Sequence, residues 1–342
     1  MRTFGSIVAP FARAALAMFA LAARPQRATA KEVHRFDGLC PEIDVALKGV
    51  AADVAAQKVD ANDGDALARA LHAAGDPHVW PRAIVLEGKT LEPSAVKRRL
   101  ESWFRERRAA GRVRCGAAFL SDQSRSRLAV VSIDAEADLH AVPREARTHS
   151  WVDIDALSFV PAYAAKVVVL PPVGPPRSLP TSFSSGHVRA RANLDRPGAW
   201  VFQVVLDGDA GPRPVLETTV FAGVAPQAAD PKAPGEDARL AGEGDAVLRE
   251  MVTVARRTEG LPPLGRDENL ERAALAHAER MMRAGVLAHD VGSGDPRARA
   301  EAAGSTAVEI GENVAHARTT ALAHRALWAS PSHRQNMLDD RF

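Results

Sequence analysis

The chain has 342 residues, enough for two or three domains, and 46% hydrophobic against 25% charged residues supplies apolar surface for real cores. Lys and Arg number 44 against 42 Asp and Glu, and four of the basic residues (Arg2, Arg13, Arg24 and Arg27) fall in the first thirty positions. Setting those aside leaves 40 basic against 42 acidic residues, which excludes a nucleic-acid or anionic-membrane partner held by bulk charge.

Residues 1–30 read as a signal peptide. An apolar stretch, Ala14 to Ala23, follows Arg2 and Arg13, and Ala28-Thr29-Ala30 is a small-x-small cleavage site. Cleavage after Ala23 and a disordered arm are the competing readings. The apolar run falls short of the about 20 residues a membrane-spanning helix needs, so the mature chain is expected to have no transmembrane segment. The expected location is periplasmic, cell-surface or secreted. The only cysteines are Cys40 and Cys115. An even count in an exported protein fits one disulfide, while spacing alone leaves two buried thiols equally open.

Residues 31–160 read as an α+β region. Asp44 to Val59 and Ala66 to Ala73 have helical spacing, and Ser94 to Arg108 is a third helix with Ser94 as its cap. Val113 to Leu120 and Leu128 to Asp134 read as strands, and no motif in this region carries chemistry. Residues 161–225 form a small antiparallel β-domain with runs at Lys166–Leu170, His187–Ala192, Ala199–Leu206 and Pro214–Ala222, separated by Pro/Gly turns. The last two runs fit a hairpin, with Trp200 and Phe202 on one face by the period of two. That pair is read first as core, with a sugar- or protein-binding face as the rival. Residues 226–245 lack periodicity and read as a flexible linker.

From residue 246 to 342 the pattern is helical: Ala246 to Thr258, a helix capped by Asp267 and stopped by Gly285, a short helix starting at Asp295-Pro296, Thr320 to Ala329, and a last turn from Pro331. Ile310 to Val314 is the expected strand. The blocks "LPPLGRDENLERAALAHAERMMRAGVLAHD", "AAGSTAVEIGENVAHA" and "ALWASPSHRQNML" occur in that order. Together they resemble the bacterial branch of the CAP superfamily (cysteine-rich secretory, antigen 5 and pathogenesis-related class 1 proteins).

The resemblance implies a C-terminal α-β-α sandwich in a multidomain protein, with a cleft of two His and two Glu able to hold a divalent metal such as zinc. His289 matches the first cleft His, Glu312 the first cleft Glu, and His333 the His of bacterial members. Ser330 and Pro331 stand where the second Glu belongs. The rival role for Glu312 is bonding backbone groups at a turn, and for His333 an ordinary place at a helix start. His277 reads as a core histidine, His316 and His324 as surface or packing residues, and Trp328 as a core anchor. Family members continue into two further strands, so the segment is expected to be truncated, to borrow a strand from another region or chain, or to have a reduced fold. The function implied is an exported, non-catalytic protein that binds a small apolar ligand, a wall component or a metal, its partner an envelope or extracellular ligand. The alternatives are a hydrolase using His289, Glu312 and His333, with or without zinc, and partner binding through residues 31–225.

Overall fold

The computed structural model describes residues 38, 40–106, 111–122, 124–227, 232–237 and 244–342. The expected signal peptide and half of the expected linker lie outside the described residues.

The first layer is built around a sheet of order β1-β3-β4-β2, comprising β1 (Glu42–Ile43), β2 (Arg82–Gly88), β3 (Arg112–Ser121) and β4 (Ser126–Ala135). Asp44 accepts the Leu47 amide at 3.0 Å and starts α1 (Val45–Ala55), and Asp63 does the same for Ala66 at the head of α2 (Gly64–Ala73). α3 (Pro93–Arg105) begins differently from the sequence expectation. Glu92 is its N-cap with no side-chain cap bond, and Pro93 occupies the first turn, where its missing N–H costs nothing. Ser94 therefore lies inside the helix rather than capping it.

β4 explains why this layer holds. Alternate residues Ala129, Val131 and Ile133 meet Leu47, Val50 and Val54 of α1. Leu128 and Val130 meet Val96, Leu100 and Trp103 of α3 on the opposite side. A strand covered on both faces reads as a near-continuous apolar run, as "LAVVSI" does. Cys40 and Cys115 are bonded, their Cα atoms 5.5 Å apart, which ties the entry of this layer to β3.

Gly116 sits where α1 crosses β3, and a Cβ there would lie 2.0 Å from the Lys48 amide nitrogen. Backbone cannot step aside as a flexible side chain can. Gly116→Ala is expected to cost about 3 kcal/mol in urea denaturation. Gly49→Ala on α1, with nothing within 4 Å of the added carbon, should instead gain about 0.5–1 kcal/mol. Equal midpoints for the two variants would remove the assigned contact.

Two further sheets face each other as a β-sandwich. One has order β10-β11-β7-β5: β5 (Ala137–Leu139), β7 (Trp151–Ser158), β10 (Thr181–Ser184) and β11 (His187–Asn193). The other has order β6-β13-β12-β8-β9: β6 (Glu145–Ala146), β8 (Ala164–Leu170), β9 (Arg177–Leu179), β12 (Gly198–Gly208) and β13 (Gly211–Ala222). β5 to β7 precede residue 161, so the sheets extend across the segment boundary expected there. Trp200 and Phe202 lie in the core between the sheets with Val167, Val169, Ile154 and Leu216. By the same alternation, Val168, Gln203 and Val205 point to the other face of the second sheet, yet all three are buried.

What covers that face is the C-terminal segment. It consists of α4 (Asp245–Thr258), α5 (Glu268–Ala284), α6 (Pro296–Ala302), α7 (Thr320–Ala329) and α8 (Pro331–Met337), with α8 against β8 and β12. Among its described residues there is no strand. The strand expected at Ile310 to Val314 is irregular chain without a neighbouring strand to pair. Side chains hold it instead: Asn313 Nδ2 donates to the His333 carbonyl at 3.0 Å and its Oδ1 accepts from Asn336 at 3.0 Å. The expected α-β-α layering within this segment is thus corrected. The last helix, α8, rests on a sheet that belongs to the β-sandwich. Among the described residues no helix is long and apolar enough to cross a membrane.

Candidate functional site

His289 reaches its position through the end of α5. Gly285 closes that helix in the left-handed conformation, φ 63°. The chain then runs over the β12–β13 turn, where the Ala210 carbonyl accepts the amides of His289 and Asp290 at 3.2 and 3.3 Å. The approach is close enough that a Cβ on Gly211 would meet the His289 Cβ at 2.8 Å. Asp290 Oδ1 then turns the chain by accepting the Gly292 and Ser293 amides, and Asp295 caps α6.

α6 delivers Arg299, a residue absent from the sequence reading and 6% exposed. Its guanidinium donates to the carbonyls of His289 and Gly294 and to Glu312 Oε2. The other Glu312 oxygen lies 2.8 Å from His289 Nδ1. Burial pulls the Glu312 carboxyl upward, but the hydrogen bonds from His289 and Arg299 outweigh it and hold the group below the ordinary carboxylate value. Arg299 carried no helical-face signal that would mark it as buried; only its partners explain it. His277, buried on α5, lies 2.9 Å from the Ala288 carbonyl through Nε2, the place of a core histidine.

His333 comes from α8. Its Nδ1 is 2.7 Å from the Ser330 hydroxyl. Burial pushes its imidazole down to about 4, aided by the neighbouring charges of His289 and Lys166, so it is neutral at pH 7. His324 is fully buried and lies 2.9 Å from the Pro234 carbonyl through Nε2, and Trp328 packs in the helical core with Ala255 and Leu327.

His289 and His333 share a cavity of about 190 Å³ whose walls come from all three parts of the chain. The C-terminal segment supplies Leu287, Ala288 and Val314, the β12–β13 hairpin supplies Ala210, Pro212 and Pro214, and Trp80 comes from the first layer. Trp80 has a left-handed backbone, φ 64°, a conformation that costs a non-glycine residue about 1–3 kcal/mol. Its indole donates to the Pro214 carbonyl at 2.9 Å, which holds the ring against the hairpin. Arg213, the one cation of the lining, pairs with Glu136 at 2.9 Å.

Glu312 is brought to His289 but is not a member of that lining. A zinc set of His289, Glu312 and His333 does not fit this arrangement. Both carboxylate oxygens of Glu312 are engaged, one of them by a guanidinium that would repel a cation. Among the described residues no three His, Cys, Asp or Glu side chains converge to hold a metal ion. The expected metal set is corrected accordingly: Glu312 orients His289 instead of offering a ligand.

Residues 249–342 match the family model of the cysteine-rich secretory protein family, CAP. The C-terminal segment carries a CAP domain. His289, Glu312 and His333 all fall within the match. No curated protein matches the chain. Among solved structures, the cell-surface chitinase ChiW from Paenibacillus sp. str. FPU-7 aligns at TM-score 0.21 and 12% identity over 25% of this chain and 8% of its own. A polysaccharide lyase aligns at 0.22 and 8% over 32% and 17%. Cwp6 from Clostridium difficile aligns at 0.22 and 7% over 36% and 24%. The chain spans at most 24% of the length of these three structures.

Proposed function

We propose that this is an exported CAP-domain protein that works by binding, in the envelope or outside the cell, a small apolar ligand in the cavity beside His289 and His333. The apolar lining of that cavity carries the reading. Leu287, Ala288, Val314, Ala210, Pro212, Pro214 and the Trp80 ring surround two imidazoles and one ion-paired arginine. An apolar cavity of about 150 Å³ is large enough for benzene. At about 190 Å³ this one suits a single substituted ring or a branched aliphatic chain. The export part of the proposal rests on the apolar stretch and cleavage site of residues 1–30.

The test uses toluene as a probe on the full chain. Saturable binding is expected by calorimetry, and Val314→Trp, which fills the cavity, should weaken it by about tenfold or more. Absence of binding, or binding indifferent to Val314→Trp, would sink the proposal.

A further inference from the structure

The two imidazoles of the cavity differ in what holds their Nδ1 atoms. His289 Nδ1 faces a carboxylate, Glu312, that Arg299 keeps ionised. An ionised carboxylate only accepts, so His289 Nδ1 carries a proton, and in the neutral ring Nε2 is then an acceptor.

His333 is set the opposite way by a chain of bonds that begins in the β-sandwich. Gln203 Nε2 donates to Glu217 Oε2 at 2.8 Å and to Ser330 Oγ at 3.0 Å. Gln203 Oε1 accepts the Ser332 amide at 3.0 Å. Ser330 Oγ, already accepting from Gln203, lies 2.7 Å from His333 Nδ1 and 3.3 Å from Gln203 Oε1. One amide group cannot present both its nitrogen and its oxygen well to the same hydroxyl. The Ser330 proton therefore goes to the nearer acceptor, His333 Nδ1. The single proton of the neutral His333 ring is then on Nε2, which is a donor. Among the described residues neither Nε2 has a hydrogen-bond partner in the protein.

Both rings line the cavity, so its apolar lining includes one imidazole with an acceptor nitrogen and one with a donor nitrogen. We propose that its ligand is a small hydroxyl-bearing apolar molecule, a phenol or compact alcohol, whose O–H donates to His289 Nε2 and whose oxygen accepts from His333 Nε2–H. A carboxylate would only accept and an ammonium would only donate, so each would leave one imidazole unpaired. Gln203, Ser330 and Glu217 are positioning residues in this scheme. They act through His333.

The inference rests on the cavity reading above, and a matched pair of probes separates the two. Phenol and toluene have nearly the same shape and differ in the hydroxyl. By calorimetry on the full chain, phenol is expected to bind about tenfold tighter than toluene or more. Ser330→Ala, which frees the His333 tautomer, should weaken phenol binding more than toluene binding and so shrink that preference. Nitrogen-15 chemical shifts should show His289 as the Nδ1–H and His333 as the Nε2–H tautomer in the free wild-type protein. Equal affinities for the two probes, or a His333 Nδ1–H tautomer, would overturn the hydroxyl assignment and leave the cavity reading standing. Failure of both probes to bind would overturn the two together.

Discussion

Between pH 7 and pH 4 the protein is expected to lose about 3 kcal/mol of stability through His333 alone. The imidazole is held down to about 4 in the fold from an ordinary 6.5. Above pH 6.5 the ring is neutral in both folded and unfolded chains, and its contribution is fully present. As pH falls from 6.5 to 4 the unfolded chain takes up a proton that the folded one refuses, so stability drops by about 1.4 kcal/mol per pH unit. Near pH 4 the folded ring protonates too and the decline stops. His324, also lowered by burial, acts in the same direction. Glu312 opens a separate window. Its carboxyl is depressed from 4.5, so its stabilisation is complete above that value and is lost only at lower pH. Urea midpoints measured between pH 7 and 4 provide the check, with His333→Gln as the reference. The variant should lose the His333 share of the slope, and a slope identical to wild type would show that the ring is not desolvated as described.

The elements legible in the sequence were those whose pattern is local. Asp44, Asp267 and Asp295 precede helices whose first turns they cap, and β-favouring runs between Pro/Gly turns gave the long strands β8, β11, β12 and β13. The alternation of Trp200 and Phe202 led to the sandwich core. β5, β6 and β9 escaped because two or three residues carry no periodicity, whereas β2 and β7, seven and eight residues long, were missed although β7 alternates cleanly. Ile310 to Val314 looked like a strand, but a strand exists only with a partner, and here side-chain amides hold the backbone. The site was half legible. Motif order named His289, Glu312 and His333, while their partners Arg299, Ser330 and Gln203 depend on packing between distant segments. Gln203 is the sharpest case. Within its strand it is one polar residue in "AWVFQVVL", as a solvent-facing position would be. It is 1% exposed because α8 covers it. That sheet supports the segment through α8, while the other helices bury apolar residues such as Ala255, Leu327 and Trp328 against one another.

Replacing Arg256 by Met is expected to cost about 3 kcal/mol or more and to loosen the cavity with it. Arg256 ends α4 and has no exposed surface. Its guanidinium donates to Pro262 O at 2.8 Å, Met337 O at 2.8 Å, Asp339 O at 3.0 Å and Phe342 O at 3.1 Å. Met keeps most of the apolar stem and removes every donor, which isolates the hydrogen bonds from the packing. A buried carbonyl without a donor costs about 1–3 kcal/mol, and those nearest the surface recover part of that from water. Lys offers three donors from one point instead of a planar fork, so Arg256→Lys should fall between wild type and Met. The damage should be local before it is global. Met337 closes α8, the helix that carries His333, so faster hydrogen exchange along α8 and weaker toluene binding are expected in Arg256→Met. The first layer, built on a different core, should exchange as in wild type. Unchanged α8 protection, or a Met variant as stable as Lys, would mean that these four carbonyls do not depend on the guanidinium. The buried arginine links the last helix to α4, and α8 in turn links the CAP helices to Gln203 and the sandwich. Stability of the segment and shape of the ligand cavity are therefore tied to one side chain that touches neither ligand nor cavity wall.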